Sequence, residues 1–355
     1  MLEEVLKRAW PGKVDVATLF SGAAGRASIA QKVRFAATVG GAQVRGRSRW
    51  ILFTHTNLLR VQSVVPARCR KPYAVFLHGI EAWGPLTRRD TRLLAGARLR
   101  LANSKFTATR VMAAHPDIGP VVACPLALPV KNDGHLAARN GEDRGPLTLP
   151  ARERVPDAGP SAVLIVGRML ASERYKGHDQ LIDAWPQVLQ AVPDAQLFVV
   201  GQGDDVDRLR ARAAQAGVSA SVVFTGFVGQ QVLDALYDRC RVCAMPSRGE
   251  GFGLVYLEAM AHGLPCVGCR DDAAAEVIEE GETGVLVDQA DIPALAATLV
   301  SLLRDPARCR RMGAAGAARV REVYSFERFA AQVTGCLRSA FQDETEGAGN
   351  VGALS

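Results

Sequence analysis

No stretch of this 355-residue chain stays apolar for the roughly 18–20 residues that a membrane span requires. The first residues, MLEEVLKRAWPGK, carry acids and lack the apolar core of a secretory leader, which points to a cytoplasmic protein. There is no G-x-S-x-G elbow for a serine hydrolase, and no His/Asp cluster spaced to hold a metal. VVGQGDD supplies Gly201-x-Gly203 without the third glycine in register, so a dinucleotide fingerprint fails. Internal repeats are missing, and low complexity is confined to Ala-rich helices. What remains is ordinary globular material, 48% hydrophobic and 22% charged, long enough for two domains.

Charge and cysteine each invite a specific reading. Up to Pro125 the chain holds 20 Lys and Arg against 6 Asp and Glu, a net of +14, while the remainder carries −7. Such asymmetry suits an anionic partner such as lipid head groups, although a solvated Arg-rich surface explains it nearly as well. Cys240-x2-Cys243 and Cys266-x2-Cys269 have the spacing of a zinc ribbon. Both pairs lie in short apolar runs, RCRVCAMP and LPCVGC, that read as strands without the tight turn of a zinc knuckle. Core packing is therefore preferred, and no disulfide is expected in a reducing compartment.

From 131 to 160 the chain is rich in Gly, Pro, Asp and Arg without a sustained apolar period, as an exposed connection would be. Beyond it, short apolar runs alternate with helical stretches: AVLIVG (Ala162–Gly167), QLFVVG (Gln196–Gly201), SVVFTG, RVCAMP, LPCVG and GVLV. That alternation predicts a doubly wound parallel sheet covered on both faces. The first half alternates less cleanly. Strands are expected at VDVATLF, Trp50–His55, Tyr73–Gly79, Leu99–Ser104 and Val121–Ala127, with helices at Asn57–Ala67, Thr87–Ala97 and Lys105–Ala114. The result is two α/β domains facing a cleft, with ligands expected beyond the carboxyl ends of the strands. The tail, 342–355, is expected to be disordered.

The most informative segment is PSRGEGFGLVYLEAMAHG. Gly249, Gly251 and Gly253 let the backbone turn tightly, and a helix starts at Leu254. The unpaired amides of Gly253, Leu254 and Val255 then form an anion site suited to a diphosphate. Glu250 and Glu258 flank it, and carboxylates accept sugar hydroxyls well. Acidic residues also favour any helix start, so the pair alone would be weak. Arg168 directly follows strand AVLIVG and Lys176 comes eight residues later, two cations able to neutralise a diphosphate leaving group. His78 closes strand YAVFLH, where its ring or carbonyl can touch a bound sugar, although a lone His is more often structural. Ser104-Lys105 is a less specific strand-end pair, and His262 reads as packing.

These residues resemble glycosyltransferase family 4, nucleotide-sugar-dependent enzymes of the GT-B fold. The resemblance rests on VGRML…YKGHDQLIDAWPQV, MPSRGEGFGLVYLEAMAHGLPCVG and AEVIEEGETGVLV, covers about 50–341, and is most specific from Ala162 to Val287. FLHGIEAW and LANSKFT look like the acceptor-side half of members that build bacterial exopolysaccharide or other surface glycans. The resemblance implies a retaining hexosyltransferase that uses a UDP- or GDP-sugar, needs no metal or other cofactor, and acts on a glycan or lipid-linked acceptor. By the family pattern, Arg168 and Lys176 hold the donor diphosphate. Gly251, Phe252, Gly253 and Leu254 form the loop against sugar and phosphate, Glu250 lies near the donor sugar, and Glu258 binds the ribose. His78 stands beside the donor sugar, and Glu250, His78, Lys176 and Arg168 are the candidate catalytic residues. The implied organisation is an acceptor-side domain at 1–130, a connection at 131–160 and a nucleotide-sugar domain at 161–325. A helix at 326–341 crosses back to the first domain. Localisation at the inner face of the plasma membrane fits the basic first half, with no nucleic-acid partner expected.

Two departures matter. About fifty residues precede WILFTH, where members of the family have a strand, a glycine turn, a helix and a second strand. The N-terminal domain is thus expected to lack its first strand–helix unit, leaving a truncated GT-B domain or a start further upstream. That keeps a non-catalytic GT-B remnant, binding nucleotide sugar or a partner enzyme, as the alternative to a transferase. A basic zinc-ribbon nucleic-acid binder is the weakest of the three. The second departure is Asp271-Asp272, where many members have glycines.

Overall fold

A computed structural model of the chain describes residues 1–19, 28–129, 158–342 and 350–354, the last five by backbone alone. The expected connection up to residue 157, most of FSGAAGRASIAQ, and 343–349 with 355 of the tail lie outside the described residues. The chain divides into two compact units, Met1–Pro129 with Phe326–Ser355, and Val130–Ser325.

Five strands open the first unit: β1 (Val14–Ala17), β2 (Ser48–Phe53), β3 (Tyr73–Leu77), β4 (Leu99–Ala102) and β5 (Val122–Ala123). Six lie in the second: β6 (Ala162–Val166), β7 (Gln196–Val200), β8 (Val222–Gly226), β9 (Val242–Ala244), β10 (Cys266–Cys269) and β11 (Gly284–Val287). A last one, β12 (Asn350–Leu354), belongs to the first unit again. The sheets are ordered β1-β12-β2-β3-β4-β5 and β11-β10-β9-β6-β7-β8, and every pairing in both is parallel.

In the first unit the pleat divides the apolar residues between two faces. Ile51, Phe53, Tyr73, Val75 and Leu77 pack with Phe35, Leu59, Leu94 and Val111 on one side. On the other, Trp50 stacks on Phe341 at 4.7 Å and meets the edge of Trp10 at 5.5 Å, while Phe76 meets Phe329. The helices Leu2–Ala9 and Phe326–Ala340 thereby cover that second face. The strand expected over Val121–Ala127 is two residues long, because Pro120 and Pro125 flank it and donate nothing to a ladder. The helix expected at Asn57–Ala67 is instead a 3-10 turn over Thr56–Ser63. Some of the basic excess is structural: the buried Arg100 guanidinium donates to the carbonyls of Leu94, Ala97 and Pro120.

The end of the tail differs from the disorder expected of it. β12 lies between β1 and β2, with Val351 opposite Val14 and Leu354 opposite Phe53. Without a strand there, β1 and β2 would each face the other with a row of unpaired backbone groups. Five residues of extended chain satisfy both rows, so the gap expected from the short N-terminal half is occupied by the C-terminal strand.

The second sheet has its switch point between β6 and β9, whose connections leave in opposite directions. In such sheets the carboxyl ends at that point form the binding crevice.

Removal of residues 343–355 should lower the melting temperature of the first unit and speed amide exchange across Ser48–Phe53. Each ladder hydrogen bond lost is worth roughly 0.5–1.5 kcal/mol. Unchanged melting and exchange would show that β12 contributes nothing to the sheet.

Candidate functional site

Two loops meet at the switch point of the second unit. One leaves β6 through Gly167 and Arg168, forms a 3-10 turn over Ala171–Lys176, and enters the helix His178–Ala191 at Gly177. The other leaves β9 at Pro246 and runs through the glycines to the helix Leu254–Ala261. Gly177 sits at φ +92, and a Cβ there would lie 2.7 Å from the Pro246 carbonyl oxygen, so this contact requires glycine. Gln289, just beyond β11, ties the loops together: its Nε2 donates to the carbonyls of Tyr175 and Pro246, both at 2.8 Å. The Arg248 amide also donates to the Tyr175 carbonyl, at 2.9 Å.

The glycine loop is fixed from beneath as well. Tyr256, in the helix that follows the loop, donates its hydroxyl to the Met245 carbonyl at 2.6 Å. Asp272, 1% exposed beyond β10, accepts from the Ser247 hydroxyl at 2.6 Å and from the amides of Gly249 and Glu250 at 3.2 Å. Gly253 begins the helix at φ +90 without a side-chain cap, leaving the first-turn amides for an outside acceptor. Phe252 is buried and meets the edge of Tyr324 at 5.8 Å, so its side chain anchors the loop.

The charged side chains form a chain across both loops. Lys176 Nζ lies 2.5 Å from Glu250 Oε1 and 3.9 Å from Glu173 Oε2, and Glu173 Oε1 accepts from Arg168 at 2.5 Å. Lys176 and Glu250 are 12% and 19% exposed, where an ion pair is screened far less than on an open surface. Glu258, on the second turn of the helix, accepts the Tyr237 hydroxyl at 3.0 Å. Burial is the main reason that phenol is pushed well up, so it stays a donor. His262 stacks on Tyr237 at 5.2 Å and lies 2.9 Å from Asp238, a supporting contact consistent with packing. The structure therefore brings Arg168, Lys176, Glu250, Gly251, Phe252, Gly253, Leu254 and Glu258 together at one end of the second sheet.

His78 belongs to the first unit. It follows β3 and is exposed, with Nε2 2.8 Å from the Thr54 carbonyl. A carbonyl only accepts, so Nε2 carries the proton. Its amide donates to Glu81 at 2.5 Å, and its carbonyl accepts from Asn103 at 2.7 Å. Ser104 is a helix cap, accepting the Thr107 amide at 2.9 Å.

Several supporting residues carried no signal in sequence. Gln289 and Tyr175 act across 114 positions, and nothing local marks either. Asp272 was visible as a departure from a glycine pattern, but its partners were not. The Gly201-x-Gly203 pair has a packing reason: Cβ atoms there would lie 2.0 Å and 1.9 Å from the carbonyl oxygens of Gly167 and Met169. Cys240, Cys243, Cys266 and Cys269 are all buried, and Cys243 faces Cys266 across the β9–β10 register. Burial raises the Cys240 and Cys266 thiols, as expected of core residues.

Solved structures share this architecture. The Anabaena protein HepE in complex with UDP superposes with a TM-score of 0.68 at 20% identity, over 86% of this chain and 82% of that one. Sucrose-phosphate synthase from Thermosynechococcus elongatus gives 0.69 at 23%, over 88% and 79%. The fold is accordingly α/β of the GT-B class, with two Rossmann-like units. Residues 160–305 match the family model Glycosyl transferases group 1. A GDP-mannose-dependent alpha-(1-6)-phosphatidylinositol monomannoside mannosyltransferase of Mycolicibacterium smegmatis is 40% identical over 148 residues, 40% of this chain and 39% of that protein. Glycogen synthase of Mycobacterium tuberculosis is 36% identical over 189 residues, 53% and 44%. The match thus spans less than half the length of these curated relatives.

Gln289→Ala would leave two carbonyls without their shared donor. We expect a loss of about 1–3 kcal/mol in stability and faster exchange of the amides between Ser247 and Glu250. Melting and exchange identical to the parent chain would show that Gln289 does not couple the loops.

Proposed function

We propose that this chain is a retaining hexosyltransferase that moves a sugar from a UDP- or GDP-sugar to a glycan or lipid-linked acceptor in glycoconjugate or exopolysaccharide synthesis. The observation that carries this reading is the convergence of Arg168, Lys176 and an uncapped, glycine-led helix start at one switch point. That is a constellation for a diphosphate. The family match, the mannosyltransferase relatives and the UDP-bound structural neighbour support it.

In this reading the first-turn amides at Gly253, Leu254 and Val255 bind the diphosphate, and Arg168 and Lys176 neutralise it. Lys176 meets Glu250 in the ligand-free chain. An incoming diphosphate competes for that ammonium and frees Glu250 to accept a hydroxyl of the donor sugar. Glu258, oriented by Tyr237, takes the ribose hydroxyls. The bond between the anomeric carbon and the phosphate oxygen breaks, and the acceptor oxygen bonds that carbon from the same face. The acceptor proton passes to the departing diphosphate, and the two cations stabilise the charge that develops there. The reaction as drawn uses no metal.

A second reading, a GT-B chain that binds nucleotide sugar without turnover, is favoured by one observation: the position between β1 and β2 is filled by the C-terminal strand. The basic first half supports docking at the inner face of the plasma membrane. Among the described residues no helix is long and apolar enough to cross a membrane.

With GDP-mannose and UDP-glucose as donors, Lys176→Ala should cut kcat on the order of 10²–10³-fold. Glu258→Ala should raise the donor KM roughly tenfold with a smaller effect on kcat, and Tyr237→Phe should do so by less. Normal turnover in Lys176→Ala would contradict its role at the leaving group. Donor binding without transfer or hydrolysis in the parent chain would favour the second reading. Binding to anionic liposomes should weaken as salt rises; equal binding to neutral vesicles would remove the electrostatic argument.

A further inference from the structure

The carboxylate of Asp272, 1% exposed, is the most enclosed charge-bearing group beside the glycine loop. Its two oxygens receive four donors. Oδ2 takes the Ser247 hydroxyl and the Gly249 and Glu250 amides, and Oδ1 takes the Ala273 amide at 2.6 Å. Three of the four belong to the loop that carries Glu250 onto Lys176. Those amides turn inward to Asp272, which leaves the helix start at Gly253 to face a ligand.

We propose that Asp272 is a positioning residue of the donor site, gathering Ser247, Gly249 and Glu250 so that the Glu250 side chain and the helix start are held ready for a nucleotide sugar. The inference rests on the reading of the switch point as a donor site and adds to it the group that sets its shape.

Burial pushes the Asp272 carboxyl up to about 6, against the hydrogen bonds that favour its charge. Two effects of opposite sign follow. The folded chain holds this proton more tightly than the unfolded chain, so the residue's contribution to stability falls as pH rises through about 6. The ionised carboxylate is also the stronger acceptor, so the loop is held better, and donor binding improves, over the same rise. Ionisable groups also surround Asp272. Tyr175 and Tyr256 are pushed upward by burial, Glu250 is paired with Lys176, and Arg248 lies 4.0 Å from Asp271. His178, beside Lys176, is lowered to about 4 by burial. His262, raised by its aspartates against burial, stacks on Tyr237 and remains in every variant below.

The test is binding of GDP-mannose and UDP-glucose by calorimetry from about pH 8 to about pH 5, with Asp272→Asn and Asp272→Gly beside the parent chain. These probes have a doubly esterified diphosphate that does not titrate near neutrality. The parent affinity should fall by up to about tenfold per pH unit below the Asp272 transition. Both variants should bind more weakly at neutral pH and lose that transition, and their Gly249 and Glu250 amides should exchange faster. A pH profile shared by parent and variants, or equal exchange at those two amides, would overturn the proposal. If neither nucleotide sugar binds the parent chain at any pH, the donor-site reading fails instead. The exchange comparison still decides whether Asp272 holds the loop.

Discussion

The contact between Lys176 and Glu250 depends on two loops from different strands being held at one point. Gly177 makes the approach possible, because any side chain there would strike the Pro246 carbonyl. Gln289 and the Arg248 amide then close it with hydrogen bonds that cross between the loops. Buried polar networks of this kind are stiff only when their members are satisfied, which is the condition met by the carbonyls of Met245, Pro246 and Tyr175. Preorganised charge is what phosphate chemistry requires of a protein, and it is supplied here mainly by backbone geometry.

The first unit solves a different problem. Its sheet would have a gap between β1 and β2, and β12 fills that gap from the far end of the chain. The helix Phe326–Ala340 prepares the return by packing Phe329, Val333, Leu337 and Phe341 into the sheet face around Trp50 and Phe76. Apolar burial therefore brings the chain end to the sheet, and backbone pairing completes it. The two units thus reach the same parallel architecture with strands drawn from different parts of the sequence.

Much of the second unit was legible because its strands are short unbroken apolar runs and its glycines fall at strand ends. Arg168, Lys176, Glu250 and Glu258 could be found because each stands at a fixed offset from such a run. The cysteine pairs were legible as core for the same reason. Gln289, Tyr175 and Tyr237 were not, because each acts through a contact distant in sequence. β12 was hidden for a further reason: NVGAL is too short and too weakly patterned to compete with a disordered reading until a vacant sheet position is known. Asp272 was visible as an oddity and intelligible only once Ser247, Gly249 and Glu250 surrounded it.

The most direct test of the central claim is a crystal structure of the chain with GDP or UDP bound. The account predicts the diphosphate against the amides of Gly253, Leu254 and Val255, with Lys176 moved from Glu250 to a phosphate oxygen and Arg168 turned toward the same group. A nucleotide bound elsewhere, or bound there with Lys176 still on Glu250, would contradict it.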